Sequence, residues 1–350
     1  MNKSPIILSI IIPCYRVERY IGQCLDTIYQ LALSIEQFEV LCFDDNAPDG
    51  TPRILDEYAA QHANMYVVHS DVNIGPGGGR NRLLDIAQGK YVWYVDSDDL
   101  MLIDYVPEIL REAEKNDLDV LTFTYQECDN AGNLLPQTHV MPDSEVSVGY
   151  DLANQIFPGG WIHNMGFPWR FIMRRAYLQK NHIRFPENMI YGEDTVWMPR
   201  VVLLAQRLQS TSLCAYVYWH HEDSTCGTLN RVYPGRTIYE KTMLTTMQLI
   251  EFAAEMKECY EVSREEIWMQ HSKTLHAYAQ SHYINQLPIM LSRSTKKERT
   301  VFYQLLANFA HRNEIIKLAT PLTRALMNPV IGPCASMLLS IVYKLTHKAK

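Results

Sequence analysis

The first 126 residues alternate between short apolar runs and stretches in which apolar residues recur every three or four positions. Ile6–Pro13 is an apolar run typical of a strand buried on both faces of a sheet, and Glu18–Leu33 has the spacing of a helix with one apolar face. Further strands are predicted at Phe38–Phe43, Met65–His69, Tyr91–Asp96 and Val120–Tyr125, and further helices at 51–62, 80–88 and 104–117. This alternation predicts an α/β fold with a Rossmann-like, mostly parallel sheet and helices on both of its faces.

The pattern changes after residue 126 and divides the chain into three predicted parts. Residues 1–126 form an α/β half. Residues 127–232 form a second half of the same domain, with a turn at Asp129–Gly132 and a late strand at Leu213–Trp219. Residues 233–350 form a helical C-terminal extension, with helices predicted at Thr237–Lys257, Glu265–Tyr283, Lys297–Ala310 and 315–345.

Charge is distributed unevenly along the chain. The net charge is −7, which does not favour a nucleic-acid partner. Residues 291–350, however, hold ten Lys or Arg and only two Glu. This basic and apolar tail predicts contact with an anionic membrane surface, and a solvated helical face is an equally weighted alternative.

The cysteine content and the hydropathy of the sequence predict the cellular location of the protein. The eight cysteines contain no C-x-x-C pair, which argues against zinc and fits a reducing cytoplasm. No stretch reaches the roughly 20 apolar residues that span a bilayer. We therefore expect a cytoplasmic protein whose tail places it on the inner face of the cell membrane. A homo-oligomeric assembly is left open.

Four polar clusters follow the ends of the predicted strands. Ligands of parallel sheets bind outside the carboxyl ends of the strands, so these clusters are candidates for one shared site. They are Tyr15, Asp44–Asp45, Asn73–Gly79 and Asp96–Asp99.

The segment Asp96-Ser97-Asp98-Asp99 predicts a metal site. Alternate residues of an extended segment share a face, so Asp96 and Asp98 point the same way and repel each other unless a cation joins them. Magnesium or manganese does this and keeps positions open for phosphate oxygens. A helix N-cap is the alternative, but three aspartates in four residues exceed what one N-cap needs.

A glycine-rich segment, Asn73–Gly79, is predicted to be a loop that leads into a helix beginning near Arg80. Glycines let backbone N–H groups approach a phosphate, and a helix N-terminus favours anions. Arg80 adds a guanidinium that matches a phosphate or a base edge. A plain flexible loop is the alternative.

Two later pairs of residues are candidates for acid–base or metal chemistry. Glu193-Asp194 stands at the start of a predicted helix, Val196–Leu208, and suits either a general base or a helix cap. His220-His221 follows the late strand. Neighbouring side chains there point apart, so at most one of them completes a metal shell, and a solvated pair is as common.

Taken in order, five segments resemble those of the inverting family-two glycosyltransferases with the GT-A fold, of the type found in bacterial polysaccharide biosynthesis. They are SIIIPCYRVERYI, FDDNAPDGT, NIGPGGGRN, GKYVWYVDSDD and FPENMIYGEDTVW, and the resemblance covers about residues 6–220. It implies transfer of a sugar from a nucleotide-diphosphate donor, UDP by default, to a saccharide or lipid-linked saccharide. It also implies a divalent cofactor, manganese or magnesium.

The resemblance also implies roles for individual residues. The nucleoside would be held by Pro13, Tyr15 and Asp45, with Glu18 beside them. Arg80 would reach the base or the diphosphate, and Asp96 would face the ribose. Asp98 would bind the metal with His221, or in second place His220. Asp194 would be the catalytic base, with Glu193 beside it toward the acceptor. Residues 1–126 would thus bind the donor, and residues 127–232 would carry the acceptor site and the base.

Departures from the family pattern refine this prediction. Relatives have Asp-Asp-Gly-Ser-Thr-Asp, and Asn46-Ala47-Pro48 stands in place of the middle three residues, so the donor selectivity of the relatives does not transfer directly. The chain has no Gln-x-x-Arg-Trp segment and no membrane span, which predicts one sugar per encounter. A set of aromatic residues would form a sugar platform or, with equal weight, a packed core: Trp161, Phe167, Trp169, Tyr191 and Trp197.

Two other functions remain as alternatives. A nucleotidyltransferase also combines an α/β sheet, a metal and a nucleotide, but it usually has a glycine-containing loop after its first strand, where this chain has Cys14–Glu18. A non-catalytic sugar-nucleotide-binding protein would not need the carboxylates at Asp98, Glu193 and Asp194.

Overall fold

The computed structural model describes residues 5–137, 140–156, 167–187, 189, 192–222 and 235–292. The chain divides into two compact units, Met1–Gly227 and Thr228–Lys350. The predicted helices at 297–310 and 315–345, and nearly all of the basic tail, lie outside the described residues. The boundaries proposed at residues 126 and 232 stay predictions.

The first unit contains eight strands, seven α-helices and two 3₁₀ turns among its described residues. The strands are β1 (Leu8–Cys14), β2 (Phe38–Asp44), β3 (Met65–His69), β4 (Tyr91–Tyr94), β5 (Leu100–Met101), β6 (Val120–Cys128), β7 (Phe171–Arg174) and β8 (Leu208–Trp219). The α-helices are α1 (Ile21–Ile28), α2 (Thr51–Gln61), α3 (Gly75–Ile86), α4 (Val106–Lys115), α5 (Gly149–Ile156), α6 (Arg175–Lys180) and α7 (Glu193–Leu203), and the 3₁₀ turns are Ile103–Tyr105 and Pro168–Arg170.

The second unit contains two long helices among its described residues. They are α8 (Gly235–Ser263) and α9 (Glu266–Ser292), which pack against each other as a hairpin. Both were predicted as helices, and both are longer than predicted. Within the described part of the chain, no helix combines the length and the apolar character that a bilayer span requires.

All eight strands belong to one mixed sheet with the order β3-β2-β1-β4-β7-β6-β8-β5. β1, β2, β3 and β4 pair in parallel, as do β6 and β8. β7 is antiparallel to both of its neighbours, β4 and β6, and β5 is antiparallel to β8. Because β7 is antiparallel to both β4 and β6, those two strands run in the same direction. The carboxyl ends of six strands, β1–β4, β6 and β8, therefore meet at one edge. The predicted mostly parallel α/β sheet is therefore confirmed.

The burial of each strand explains its composition. β1, β2 and β4 are covered on both faces, so almost every residue in them is buried and apolar. β3 lies at the edge of the sheet and is less buried, with Tyr66 half exposed. Helix α1 buries one face against the sheet through Ile21, Cys24, Leu25 and Ile28, as the periodicity predicts.

A buried carboxylate anchors the end of α3 at the sheet edge opposite the polar clusters. Glu39 accepts hydrogen bonds from the Ser9 hydroxyl at 2.6 Å and from the backbone N–H of Gln88 at 2.6 Å and of Gly89 at 3.3 Å. A Cβ at Gly89 would lie 2.5 Å from the Ser9 nitrogen, so only glycine allows this approach. The C-terminal end of helix α3 is thus fixed to β1 and β2.

The prediction of a loop over Asn73–Gly79 is wrong for most of that segment. Helix α3 begins at Gly75, so the glycines form its first turn. They are needed for close packing, since a Cβ at Gly79 would come within 2.8 Å of the Phe43 ring, and one at Gly77 would meet Phe185 at 3.1 Å. Their contact with a phosphate stays a prediction.

The segment after β6 turns back as the sequence predicts. The Asp129 carboxylate accepts the backbone N–H groups of Ala131 and Asn133, both at 2.9 Å, and Cys128 pairs with Leu134 in an antiparallel bridge. The late strand, β8, begins five residues earlier than predicted because its first residues pair with β6, with shifts in register near Thr124.

Candidate active site

Four polar segments lie at the carboxyl ends of strands that run in the same direction. Tyr15 directly follows β1, Asp45 directly follows β2, and Asp96–Asp99 begins two residues after the end of β4. His220 and His221 directly follow β8. The sheet therefore brings these segments to one edge, as the sequence predicts.

Arg80, in the second turn of α3, joins two carboxylates in a buried cluster. Its Nη2 lies 2.7 Å from Asp96 Oδ1 and its Nη1 lies 2.8 Å from Glu193 Oε1. Its guanidinium also lies 5.1 Å from the centre of the Phe185 ring. Burial alone would lower the pKa of Arg80, but Asp96 and Glu193 raise it above its ordinary value. Arg80 therefore remains a cation between the two carboxylates.

The Arg80 cluster differs from the predicted role of this residue. The sequence predicts that Arg80 reaches the base or the diphosphate of a donor. In the structure its side chain is only 6% exposed, and both terminal nitrogens are paired with Asp96 and Glu193. Glu193, predicted to lie toward the acceptor, is buried as well. The ligand contacts of both residues stay predictions.

Asp194 is placed at the start of α7, next to the buried Glu193. The helix begins directly after Gly192, whose φ of 79° lies in the left-handed region that glycine adopts without strain. Asp194 Oδ1 accepts the Thr195 N–H at 2.7 Å. Burial, and then the negative charge of Glu193, raise the pKa of Asp194 to about 7. A carboxyl group with such a pKa suits proton transfer near neutral pH.

Asp98 and His221 form a pair at the ends of β4 and β8. Their closest atoms, Asp98 Oδ2 and His221 Nε2, lie 2.9 Å apart. The His221 side chain is only 3% exposed, and its ring lies against Tyr20 with the ring centres 4.2 Å apart. Its Nδ1 is buried and has no hydrogen-bond partner among the described residues.

The other histidine points away from Asp98. The His220 side chain is 48% exposed, and its Nε2 lies 3.6 Å from Glu127 Oε2. Its ring packs edge-on against Tyr218. The structure thus brings together the first-choice metal residues, Asp98 and His221, and separates His220 from them.

The Asp98–His221 pair has the chemistry of a partial metal shell. A carboxylate oxygen and an imidazole nitrogen suit manganese, and carboxylate suits magnesium. Within the described residues, no group of three or more His, Cys, Asp or Glu is placed to hold a metal ion. Asp98 and His221 would thus supply two ligands of such a cation, and phosphate oxygens or water suit the positions that these two side chains leave open.

Of the predicted nucleoside residues, Asp45 contacts the beginning of α3. Asp45 is buried, and its two oxygens accept the N–H groups of Ile74 at 2.7 Å and Gly75 at 2.9 Å. Burial raises the pKa of Asp45, and these two hydrogen bonds oppose that effect. Tyr15 is 42% exposed, so its ring is available to a ligand. Pro13 is partly buried in β1.

Glu18, the last of the predicted nucleoside residues, supports a turn. Its Oε2 accepts the Gly50 N–H at 2.6 Å, while its own N–H donates to the Asp49 carboxylate at 3.3 Å. It is exposed and holds the turn before α2. Its contact with a nucleoside stays a prediction.

A histidine that the sequence analysis missed supports the turn after β2. His69 Nδ1 lies 2.9 Å from Asp44 Oδ2, and its Nε2 lies 3.1 Å from Asp56 Oδ1. The hydrogen bond to Asp44 raises the pKa of His69. Asp44 Oδ1 accepts the Ala47 N–H at 3.0 Å, while Asn46 between them has a φ of 59°. The sequence signal for this role was the position of His69 at the end of the predicted strand Met65–His69.

Two of the five residues of the predicted aromatic platform belong to the core. Trp169 and Trp197 are fully buried, so the packed-core alternative is correct for them. Phe167 is 38% exposed and stacks on Trp169 with the ring centres 5.1 Å apart. Trp161 and Tyr191 lie outside the described residues.

Comparisons with known proteins identify the family of the chain. Residues 9–181 match the model of the family described as Glycosyl transferase family 2. The chain belongs to glycosyltransferase family 2. The matched segment of this family member includes Tyr15, Asp45, Arg80 and the Asp96–Asp99 turn, while Asp194 and His221 lie beyond it.

Curated relatives of this family 2 member are themselves named as glycosyltransferases. It is 27% identical over 220 residues to the uncharacterized glycosyltransferase EpsJ of Bacillus subtilis, covering 62% of each chain. It is 24% identical over 307 residues to the poly(ribitol-phosphate) beta-glucosyltransferase of Bacillus spizizenii, covering 87% of this chain and 45% of that protein. The chain thus spans less than two thirds of the length of these relatives.

Solved structures confirm the predicted GT-A fold of the family 2 member. The crystal structure of Staphylococcus aureus TarS 1–349 in complex with UDP has a TM-score of 0.69 and 22% identity, and the match covers 98% of this chain and 92% of that chain. The complex of TarS 1–349 with UDP-GlcNAc matches with the same TM-score.

Removal of the Arg80 cation should destabilise the fold far more than removal of an exposed one. Arg80→Met leaves two largely buried carboxylates unpaired, and breaking a buried pair costs about 3–5 kcal/mol. The matched control is Arg184→Met, since Arg184 pairs with Asp85 at the surface, at 2.6 Å with both side chains at least 40% exposed. A surface pair contributes at most about 1 kcal/mol.

The free energy of unfolding of both variants is to be measured in urea at pH 7.5. Equal losses for Arg80→Met and Arg184→Met would contradict a buried Arg80 bridge. A double variant, Arg80→Met with Glu193→Gln, should recover part of the loss because one of the unpaired charges is removed.

Proposed function

We propose that the protein transfers a sugar from a nucleotide-diphosphate donor, a UDP-sugar, to a saccharide or polyol-phosphate acceptor in cell-surface polysaccharide synthesis. The observation that carries this proposal is the continuous buried contact from Asp96 through Arg80 to Glu193, with Asp194 next in the chain. This contact connects the Asp96–Asp99 turn, on the proposed donor side, with Asp194, whose pKa of about 7 suits a general base.

The donor side of the proposal rests on the residues at the ends of β1, β2 and β4. Tyr15 offers an exposed ring on which a base can stack, and Asp45 lies beside it at the beginning of α3. The complexes of TarS with UDP and UDP-GlcNAc support a uridine nucleotide. UDP-GlcNAc is therefore the first donor to test.

Asp98 and His221 would hold the divalent cation, manganese or magnesium. When bound, such an ion offsets the negative charge that builds on the departing diphosphate. The chain's own contribution is to present one carboxylate and one imidazole together at the sheet edge. Asp96, which is paired with Arg80, would face the ribose.

Asp194 would accept the proton of the acceptor hydroxyl as that oxygen attacks the anomeric carbon. Attack opposite the leaving group inverts the anomeric centre. Two relatives are named as beta-transferases, which supports this outcome for an alpha-linked donor. The negative charge of Glu193, which Arg80 holds at 2.8 Å, would raise the proton affinity of Asp194.

The acceptor class rests on the relatives alone. Poly(ribitol-phosphate) transferases of Bacillus spizizenii and Staphylococcus aureus are among them, so a polyol-phosphate polymer stands beside a saccharide or lipid-linked saccharide. Transfer of one sugar per encounter is part of the proposal. A non-catalytic sugar-nucleotide-binding protein is the alternative that a transfer assay excludes, and family 2 membership argues against a nucleotidyltransferase.

Asp194→Asn should keep donor binding and lose catalysis. General-base work contributes about 100-fold or more to the rate, and an amide cannot take the proton. Wild type and variant are to be compared by thermal shift with UDP-GlcNAc and manganese, and by sugar transfer. An equal rise in Tm with a rate loss of about 100-fold is expected, and a lost Tm rise would instead assign Asp194 to donor binding.

The pH profile tests the same role of Asp194 in the wild type. A base acts only as the carboxylate, so kcat/KM should be full above the pKa of about 7 and fall as the pH drops through it. A profile flat from pH 5 to 8 would contradict this assignment.

Asp98→Ala should abolish transfer while the fold remains. The Asp98 side chain is partly exposed and accepts its hydrogen bond from His221, so its loss leaves the core intact. Circular dichroism checks the fold, and transfer is measured with manganese and with a chelator. Wild-type turnover of Asp98→Ala in chelator would exclude metal catalysis.

We also propose that the basic tail holds the enzyme on an anionic membrane surface. Truncation after residue 312 removes five of the ten Lys or Arg residues of 291–350 and should reduce sedimentation with vesicles of phosphatidylglycerol. Phosphatidylcholine vesicles serve as the uncharged control. Unchanged sedimentation would favour the alternative, a solvated helical face.

A further inference from the structure

One tyrosine hydroxyl connects the two ends of the carboxylate turn after β4. The Tyr216 hydroxyl donates to Asp99 Oδ2 at 2.7 Å and accepts the backbone N–H of Asp96 at 3.2 Å. The Asp99 N–H also donates to the Asp96 carbonyl at 3.2 Å, which closes the turn. Tyr216 and Asp99 are both buried, so these hydrogen bonds do not compete with bulk water.

The second oxygen of Asp99 extends this connection to the end of β8. Asp99 Oδ1 accepts the Trp219 N–H at 2.8 Å. Asp98 precedes Asp99 in the chain and His221 follows Trp219 by two residues, so the carboxylate holds the two strand ends next to the Asp98–His221 pair. The 2.9 Å separation of Asp98 and His221 closes the ring of contacts.

The Tyr216 ring is itself held in place. It stacks on Trp169 with the ring centres 4.5 Å apart and the planes 2° apart. The pairing of β6 and β8 shifts register just before Tyr216, and such irregularities re-aim the side chains that follow. Burial raises the pKa of Tyr216, so the phenol keeps the proton that it donates to Asp99.

We propose that Tyr216 and Asp99 are positioning residues that set the spacing of Asp98 and His221 for a divalent cation, an inference that rests on the proposed function. Neither side chain would touch the ion. Partners that orient metal ligands in this way typically change metal affinity or activity by 10–100-fold when they are lost. The sequence marked Asp99 only as one of three aspartates and did not mark Tyr216.

The test compares two tyrosines that differ in their hydroxyl contacts. Tyr216→Phe removes the shared hydroxyl without changing charge. Tyr94→Phe is the matched control, because Tyr94 is as buried in β4 and its hydroxyl has no hydrogen-bond partner among the described residues. The dissociation constant of Mn²⁺ in the presence of UDP is measured by electron paramagnetic resonance, together with kcat and Tm.

The expected result is a Mn²⁺ dissociation constant about 10–100-fold higher for Tyr216→Phe and unchanged for Tyr94→Phe. A purely structural role would lower Tm without this change in affinity. Equal Mn²⁺ affinity of the two variants, with an active wild type, overturns the positioning role alone. A wild type that neither binds Mn²⁺ with UDP nor transfers sugar overturns the proposed function as well.

Asp99→Asn provides a second route, which also serves if Tyr216→Phe does not fold. The amide keeps one acceptor for Trp219 but loses the ability to accept from both partners, so Mn²⁺ affinity should again fall. In the double variant the two losses should not add, since both remove the same connection. Wild-type Mn²⁺ affinity of Asp99→Asn, or additive losses in the double variant, would overturn the inference.

Discussion

The site depends on a cation buried between two carboxylates. A guanidinium taken out of water is unfavourable unless it is paired, and Arg80 meets this condition with Asp96 on one side and Glu193 on the other. Burial raises the pKa values of Asp96 and Glu193 above their ordinary values, and the positive charge of Arg80 opposes that effect in both. Burial, and then the negative charge of Glu193, raise the pKa of Asp194 to about 7. Asp194 is therefore a carboxyl group that can gain or lose a proton near neutral pH.

The sheet supplies the framework for this cluster. The antiparallel strand β7 lies between β4 and β6 and makes the strands on either side of it run in the same direction. Without that reversal, the end of β8 with His221 would not lie at the edge where β4 ends. Glu39 anchors α3 at the opposite edge, so the helix that carries Arg80 is held at both ends.

The sequence predicted the parallel core and the location of the site, because both depend on local patterns. Met65–His69 has the predicted bounds, and the polar segments after β1, β2 and β4 lie where the strand-end rule places them. β7 was missed because four residues in an aromatic segment carry too little periodicity. The glycine segment was misjudged because its glycines allow close packing of a helix against Phe43 and Phe185 rather than flexibility. The Arg80–Glu193 pair joins residues that are distant in the chain, and no local pattern reveals such a pair.

The close approach of Gly77 to the rest of the site has a consequence for altering donor selectivity. A Cβ at this position would lie 3.2 Å from Glu193 Cγ and 3.1 Å from the Pro186 carbonyl. The first turn of α3, beside Asp45, is therefore in direct contact with the residue that precedes the candidate base. A side chain introduced at Gly77 to alter the proposed donor site would therefore displace Glu193, the neighbour of the candidate base Asp194, so donor recognition and the rate of transfer are not separately adjustable from this turn.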